Sequence, residues 1–493
     1  GSTNEDFVGL DGVVALTNGN YVVISSDWHN GAVGNAGAVT WGNGVGGTVG
    51  AVSATNSLIG STAQDGVGST SGMALTNGNY VVYSVGWDNG AIVNAGAVTW
   101  GNGTGGTVGA VSATNSLVGS TASDQVGGNG VTALSNGNYV VSSSVWNNGI
   151  ILDAGAVTWG NGTGGTVGAV SAANSLVGST ANDKLGDSFN VVALTNGNYI
   201  VRSKVWDNGA IVDAGAVTWG NGSTGISGII SAANSLVGST ASDEVGNAVM
   251  ALTNGNYVTL ATKWDNGAVA DVGAVTWGNG AGGTVGVISA ANSLVGSTAS
   301  DQVGNGSITP LSNGNYVVRS TGWDNGAVVD AGAATWGNGA GGTVGSVSAA
   351  NSLVGSSTND RVSFTAVTAM TNGDYVVSSG FWDNGAVTDV GAVTWGNGTG
   401  GTVGAVSTAN SFVGTTASDG VGAVTVALAD GRALVGSANW DNGALVNAGG
   451  HGFYRARYAP DLLEALVARL DTLEPIERFN LVNDTWAAAM AGL

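Results

Sequence analysis

The chain has 493 residues, with 88 Gly, 3 Pro and no Cys, and its 32 acidic residues against 11 basic ones leave a formal net charge of -21. That field repels nucleic acid, the missing thiols exclude disulfide and thiolate chemistry, and plentiful Val, Ala and Leu separate the chain from collagen-like and disordered sequences. No apolar run reaches the roughly 18 residues of a membrane helix, so membrane insertion is not expected.

No charged-then-apolar leader opens the sequence. Residues 1–9, GSTNEDFVG, match the interior of a repeat (GSTASDEVG at 238–246), so the chain reads as a fragment that begins in mid-unit. Self-similarity then governs everything to residue 450. Setting each unit to start at its Asp gives units 6–64, 65–123, 124–182, 183–242, 243–300, 301–359, 360–418 and a partial 419–450. The first Trp of a unit precedes the second by 13 positions, and 24 more lead to the next Asp.

Four short strands fit each unit. In the fourth they are Asn190 to Leu194, Tyr199 to Ser203, Ala214 to Trp219, and a segment near Ser235 to Gly238. Asn196-Gly197 reads as a two-residue type I′ hairpin turn. The glycine-rich GNGSTGISG reads as a connection, and no helical periodicity is sustained before residue 460. Units of this size with four antiparallel strands match one blade of a propeller. The fold class expected is all-β, a β-propeller of seven to eight four-stranded blades, leaning to eight with the last incomplete, followed by a short α-helical tail. Pairs such as Gly215-Ala216 would let neighbouring sheets approach, and the unit's Trp would fill the wedge between blades.

Asp-x-Val-Gly, an Ala-Leu strand, Asn-Gly, Tyr-Val-Val and Ala-Gly-Ala-Val together resemble the FG-GAP repeat of integrin α-type propellers, with Asp6-Phe7-Val8-Gly9 the nearest match. More narrowly, TNGNYVV, WDNG and AGAVTWGNG resemble a bacterial repeat found in large surface proteins. The resemblance implies a propeller-like fold in a cell-surface or extracellular protein.

In an up-and-down blade the Asn-Gly turn and the GNGTGGTVG connection share one face, and both hardly vary among units. The segments after Asp-x-Val-Gly and the residues before each first Trp share the other face, and both vary: Leu10-Asp11, Asp187 to Asn190, Asn305 to Ser307 and Ser363 to Thr365 in the first set, and Asp27, Lys204, Lys263 and Phe381 in the second. Six of the seven basic residues of the array, Lys184, Arg202, Lys204, Lys263, Arg319 and Arg361, lie in or beside these segments. Lys204, Lys263, Arg319, Arg361 and Arg202, with Asp187, form the candidate ligand-binding set, since rigid scaffolds carry recognition on the loops of one end. Neutral drift of tolerant loops is the competing explanation.

Asp207 and Asp213, Asp265 and Asp271, Asp324 and Asp330, and Asp383 and Asp389 are candidate calcium ligands, because hard cations take oxygen donors and integrin-type blades bind calcium. Their spacing is not that of an Asp-x-Asp-x-Asp-Gly loop, and Asn35, Asn94 and Asn147 replace members of the set, so turn formation competes. No other cofactor is expected. Each unit's opening Asp is read as an acceptor of backbone hydrogen bonds. The Trp residues are read as core rather than as sugar platforms, and His29 as a surface substitution. No carboxylate pair is singled out as acid and base, so no catalysis is expected.

After Gly449 the composition changes. Gly452-Phe453-Tyr454-Arg455 and Leu473-Glu474-Pro475-Ile476-Glu477-Arg478 resemble a fragment of alanyl-type zinc aminopeptidases, without the His-Glu-x-x-His zinc helix. Residues 451–493 are therefore a foreign-looking piece, expected to supply a strand (452–458) to the last blade and then helices. The function expected is extracellular binding or adhesion to a glycan or protein by a monomeric array, with a structural spacer of a larger surface protein as the alternative.

Overall fold

The computed structural model describes residues 1, 3, 5–187, 191–437, 439, 464, 467, 468 and 478. Among them the fold is all-β and repeats unit by unit. The strand expected at 452–458 and nearly all of the expected tail helices lie outside the described residues. Glu464, Val467 and Arg478 are helical, and the Ala468 N–H donates to the Glu464 carbonyl at 2.9 Å.

The fourth unit shows how sequence becomes sheet. Its strands are Val191–Ala193, Tyr199–Ser203, Ala216–Gly220 and Ser235–Val237, paired antiparallel in that order. The second is as expected, whereas the first and third differ from the sequence reading at their ends. The third starts late because Gly215, at φ +73°, turns the chain where it passes the next unit's loop, with an added Cβ 2.2 Å from the Val245 nitrogen. Only glycine tolerates that combination.

Two other expectations are corrected. The hairpin turn is not type I′: among the non-glycine residues with positive φ, Asn196 is absent, and only Gly197 is left-handed, at φ +87°. The Leu194 carbonyl accepts the Gly197 N–H at 3.1 Å, and the Leu194 N–H donates to the Asn198 carbonyl at 2.8 Å. This is a type I turn closed by a left-handed glycine. Nor is the glycine-rich connection only a loop. Gly228–Ile229 forms a two-residue strand that pairs in parallel with Leu176 and Val177 of the preceding unit. Each complete sheet therefore holds four strands of its own and one lent by the next unit.

The chain divides into two bodies. The first, Gly1–Gly304 with Asn338–Ser346, holds five five-stranded sheets. The second, Asn305–Gly337 with Val347–Leu493, holds among its described residues one five-stranded, one four-stranded and one two-stranded sheet. Within each body the core lies between successive sheets. Leu134, Val140, Val157 and Leu176 of the third unit pack with Tyr199, Val201, Trp206 and Ile230 of the fourth. First Trp residues are about 3% exposed, so they are core as expected. From the second unit on, the tyrosine that opens the second strand is buried too, and Tyr199 lies so close over Gly220 that an added Cβ would sit 2.1 Å from its ring.

Candidate functional site

The two ends of each sheet are used differently. At the end holding the Asn-Gly turn, polar groups are consumed by contact between units. The Gly222 carbonyl in the fourth unit's connection accepts from Asn136 Nδ2 at 2.8 Å, Asn138 Nδ2 at 2.8 Å and Trp159 Nε1 at 2.9 Å, all from the third unit. The same three donors converge on Gly103, Gly162, Gly280 and Gly398. A buried carbonyl served this way explains why TNGN and WGNG hardly change from unit to unit.

At the opposite end the two variable segments of a unit meet. Asp11 Oδ2 accepts the Ser26 N–H at 2.7 Å, Asn129 Oδ1 the Ser144 N–H at 2.9 Å, Asn305 Oδ1 the Thr321 N–H at 2.8 Å, and Thr365 Oγ1 the Gly380 N–H at 3.0 Å. These four loops differ in sequence but keep one acceptor each, a signal that becomes visible only with the two segments side by side.

Beneath these loops sits the opening Asp. Asp243 is fully buried, and its carboxylate accepts the Ser239 and Thr240 N–H groups at 2.7 and 2.8 Å, the Thr240 hydroxyl at 2.5 Å and the Asp265 N–H at 3.1 Å. Such saturation is how a buried charge is tolerated. Asp360 has Ser357 where other units have Thr, and it accepts the Ser356, Ser357 and Asp383 N–H groups without a hydroxyl. Desolvation holds its carboxyl above the usual carboxylate range.

The candidate basic residues divide by role. Lys184 and Lys204 are exposed, and Asp187 is half-buried. Lys263 pairs with Glu244 at 2.8 Å, which raises its pKa, and Arg361 pairs with Asp330 at 3.3 Å. Arg202 and Arg319 instead reach into the next unit's variable segment. Arg202 donates from Nε to the Gly246 carbonyl at 2.9 Å and from Nη2 to the Asn247 carbonyl. Arg319 donates from Nε to the Ser363 carbonyl at 3.0 Å and from Nη2 to the Phe364 carbonyl at 2.7 Å. Burial lowers the pKa of both guanidiniums. They clamp neighbouring loops together, a role the sequence reading did not assign.

Reading the sequence also missed an aromatic pair. Phe364 and Phe381 are both exposed and meet edge to face, with ring centroids 5.1 Å apart, and the Arg361 guanidinium lies 5.9 Å from the Phe364 ring. Beside them Ser363 holds φ +71°, where other units place glycine.

The loop carboxylates proposed for calcium are engaged in turns. Asp207, Asp265, Asp324 and Asp383 each accept, through Oδ1, the N–H of Asp213, Asp271, Asp330 and Asp389 respectively, at 2.7–2.8 Å. The second member of each pair is left-handed, with φ from 51° to 54°, as are Asn35 and Asn94 in their units. Asn and Asp both tolerate that conformation, so their interchange follows the backbone. Among the described residues no group of three or more His, Cys, Asp or Glu side chains is placed to hold a metal ion.

A family model described as "Repeat of unknown function (DUF5650)" matches residues 15–69, 74–128, 133–187, 193–247, 251–305, 310–364, 369–423 and 427–456. The chain belongs to this family. The eighth DUF5650 match runs past Gly449 to residue 456. No curated protein matches the chain. Among solved structures it is similar to the extracellular domain of a hybrid two component system from B. thetaiotaomicron, at 8% identity and a TM-score of 0.23. That alignment covers 88% of this chain and 50% of the other, so this chain spans about half its length. A likeness at that TM-score carries no argument.

Proposed function

We propose that the DUF5650 array is a non-catalytic extracellular binding module that recognises a glycan or protein through its variable loops. The observation that carries this reading is the division of labour between the two ends of each sheet. One end spends its polar groups on contacts between units, while the other gathers both variable segments on a rigid floor. Lys184, Lys204 and Lys263 offer charge on the first body. On the second, Arg361 and the Phe364–Phe381 pair combine charge with exposed aromatic surface, a mixture common at recognition surfaces.

The sheets are read as propeller-like blades, in keeping with the FG-GAP resemblance and with core packed between successive sheets. An extracellular setting fits the acidic, sparsely charged, Ser/Thr/Asn-rich composition. Among the described residues no helix is long and apolar enough to cross a membrane. The spacer reading is favoured only by the near-identity of the units.

The test is a screen of the full chain on glycan and extracellular-matrix arrays, with and without calcium. Variants Lys204→Ser with Lys263→Ser, and Arg361→Ser alone, are run beside it. Arg202 and Arg319 are kept because they hold loops together. Specific binding that falls at least tenfold in one variant supports recognition. Binding to nothing on either array, under either condition, would sink it in favour of a spacer.

A further inference from the structure

Six fourth strands of the array, from Ser57–Ile59 to Ser352–Val354, each receive a lent segment of the following unit in parallel. On the lending side of the second unit, Gly109–Ala110 lies along Leu58 and Ile59, and the Val111 N–H donates to the Ile59 carbonyl at 3.0 Å. Leu58 packs there with Tyr80, Val82 and Val111. The Gly103 carbonyl of the same unit takes its three donors from Asn18, Asn20 and Trp41 of the first.

The first unit has the same lending side, and among the described residues nothing pairs with it. Gly50-Ala51-Val52 stands where the second unit has Gly109-Ala110-Val111. Gly50 keeps the backbone of the paired state, at φ +107° against +96° for Gly109. Yet Gly50 and Ala51 form no strand, and the Val52 N–H and the Gly50 and Gly44 carbonyls have no hydrogen-bond partner among the described residues. The flanking side chains are uncovered to match. Tyr21 and Val23 are half-buried where Tyr80 and Val82 are fully buried, and Val49 is 91% exposed against 49% for Val108. An unpaired edge held in pairing geometry beside apolar surface is a template for one more strand.

The strand that fits is the one the six paired interfaces use, Ser-Leu-Val or Ser-Leu-Ile, whose Leu reaches the tyrosine of the lending unit. Those six are already paired, and the seventh fourth strand, Ser411–Val413, has Phe412 in the Leu position with a partner of its own. We propose that the free edge of the first unit docks the fourth strand of a DUF5650 unit carried by another chain, by strand addition. The incoming strand runs parallel to Gly50–Val52, accepts the Val52 N–H, donates to the Gly50 carbonyl and sets its Leu against Tyr21 and Val52. The inference is independent of the variable-loop reading, because this edge belongs to the glycine-rich connection and uses none of the basic candidates.

The experiment titrates the blocked peptide Ala-Ala-Asn-Ser-Leu-Val-Gly-Ser, the sequence of residues 172–179, into the isotope-labelled full chain and follows the amide NMR signals. Saturable shifts confined to Gly50, Ala51, Val52 and the surroundings of Tyr21 are expected, with a dissociation constant on the order of 1 mM for so short a strand. Methylating the nitrogen of the peptide's Val removes one ladder donor and leaves the protein untouched, so the result does not depend on a variant folding. Val52→Pro removes the donor on the chain. Each change is expected to weaken binding by about tenfold. Absence of saturable binding, equal binding of the methylated peptide, or shifts centred on another edge overturns the proposal.

Discussion

Single carboxylates anchor each unit. Removing the buried Asp243 side chain would leave the N–H groups of Ser239, Thr240 and Asp265 without their acceptor. Asp243→Ala is therefore expected to cost about 2–4 kcal/mol, from unsatisfied donors at about 1–3 kcal/mol each with partial relaxation, measured as the shift in urea midpoint. Asp360 makes a sharper prediction, because its neighbour Ser357 supplies no hydroxyl bond. Its folded pKa is raised by desolvation, so its contribution to stability is full below the ordinary carboxylate pKa and is lost as pH rises through the raised folded value. Ser357→Thr, which copies the other units, should lower the Asp360 pKa and reduce that loss. A carbon-detected NMR titration of the Asp360 carboxyl reads this directly, and an unmoved pKa would refute the hydroxyl as the cause. The opening Asp was legible in the sequence as a hydrogen-bond acceptor because it recurs beside Ser-Thr and polar loop residues. The arginine clamps were not, since nothing in a linear sequence says which neighbouring carbonyl a guanidinium can reach.

Elements are joined by a small set of contacts repeated from unit to unit. Trp159→Phe removes one of three donors to the Gly222 carbonyl while keeping most of the packing; a cost of about 0.5–1.5 kcal/mol is expected. Gly220→Ala should be worse, because its Cβ would collide with the Tyr199 ring in a site where neither can yield; about 1–3 kcal/mol or more is expected from overpacking. Equilibrium urea unfolding of both variants checks the ranking, and an equal cost would contradict the close approach of ring and backbone. Second-strand positions were legible because Tyr-Val-Val follows a turn signal. The lent fifth strand was hidden, since two residues within a glycine-rich run have no periodicity of their own and are strands only because another unit's edge lies beside them.

At the scale of the whole molecule, described contacts run from each unit to its neighbours, the condition under which stability becomes a sum of unit and interface contributions. Excision of one complete unit, residues 124–182, is expected to give a folded chain with the same far-ultraviolet dichroism per residue. Global unfolding of that variant would show that closure of the whole array, rather than neighbour contact, sustains it.

The sequence by itself determined the repeat, the strand-rich character, the position of the variable segments and the burial of the first Trp, because each follows from local pattern and from its exact recurrence. Tertiary structure alone decided which carbonyl receives Asn136, Asn138 and Trp159, and which loops the arginines clamp. Those outcomes depend on the distance between units, a quantity carried by the packed interface and written in no single segment of the chain.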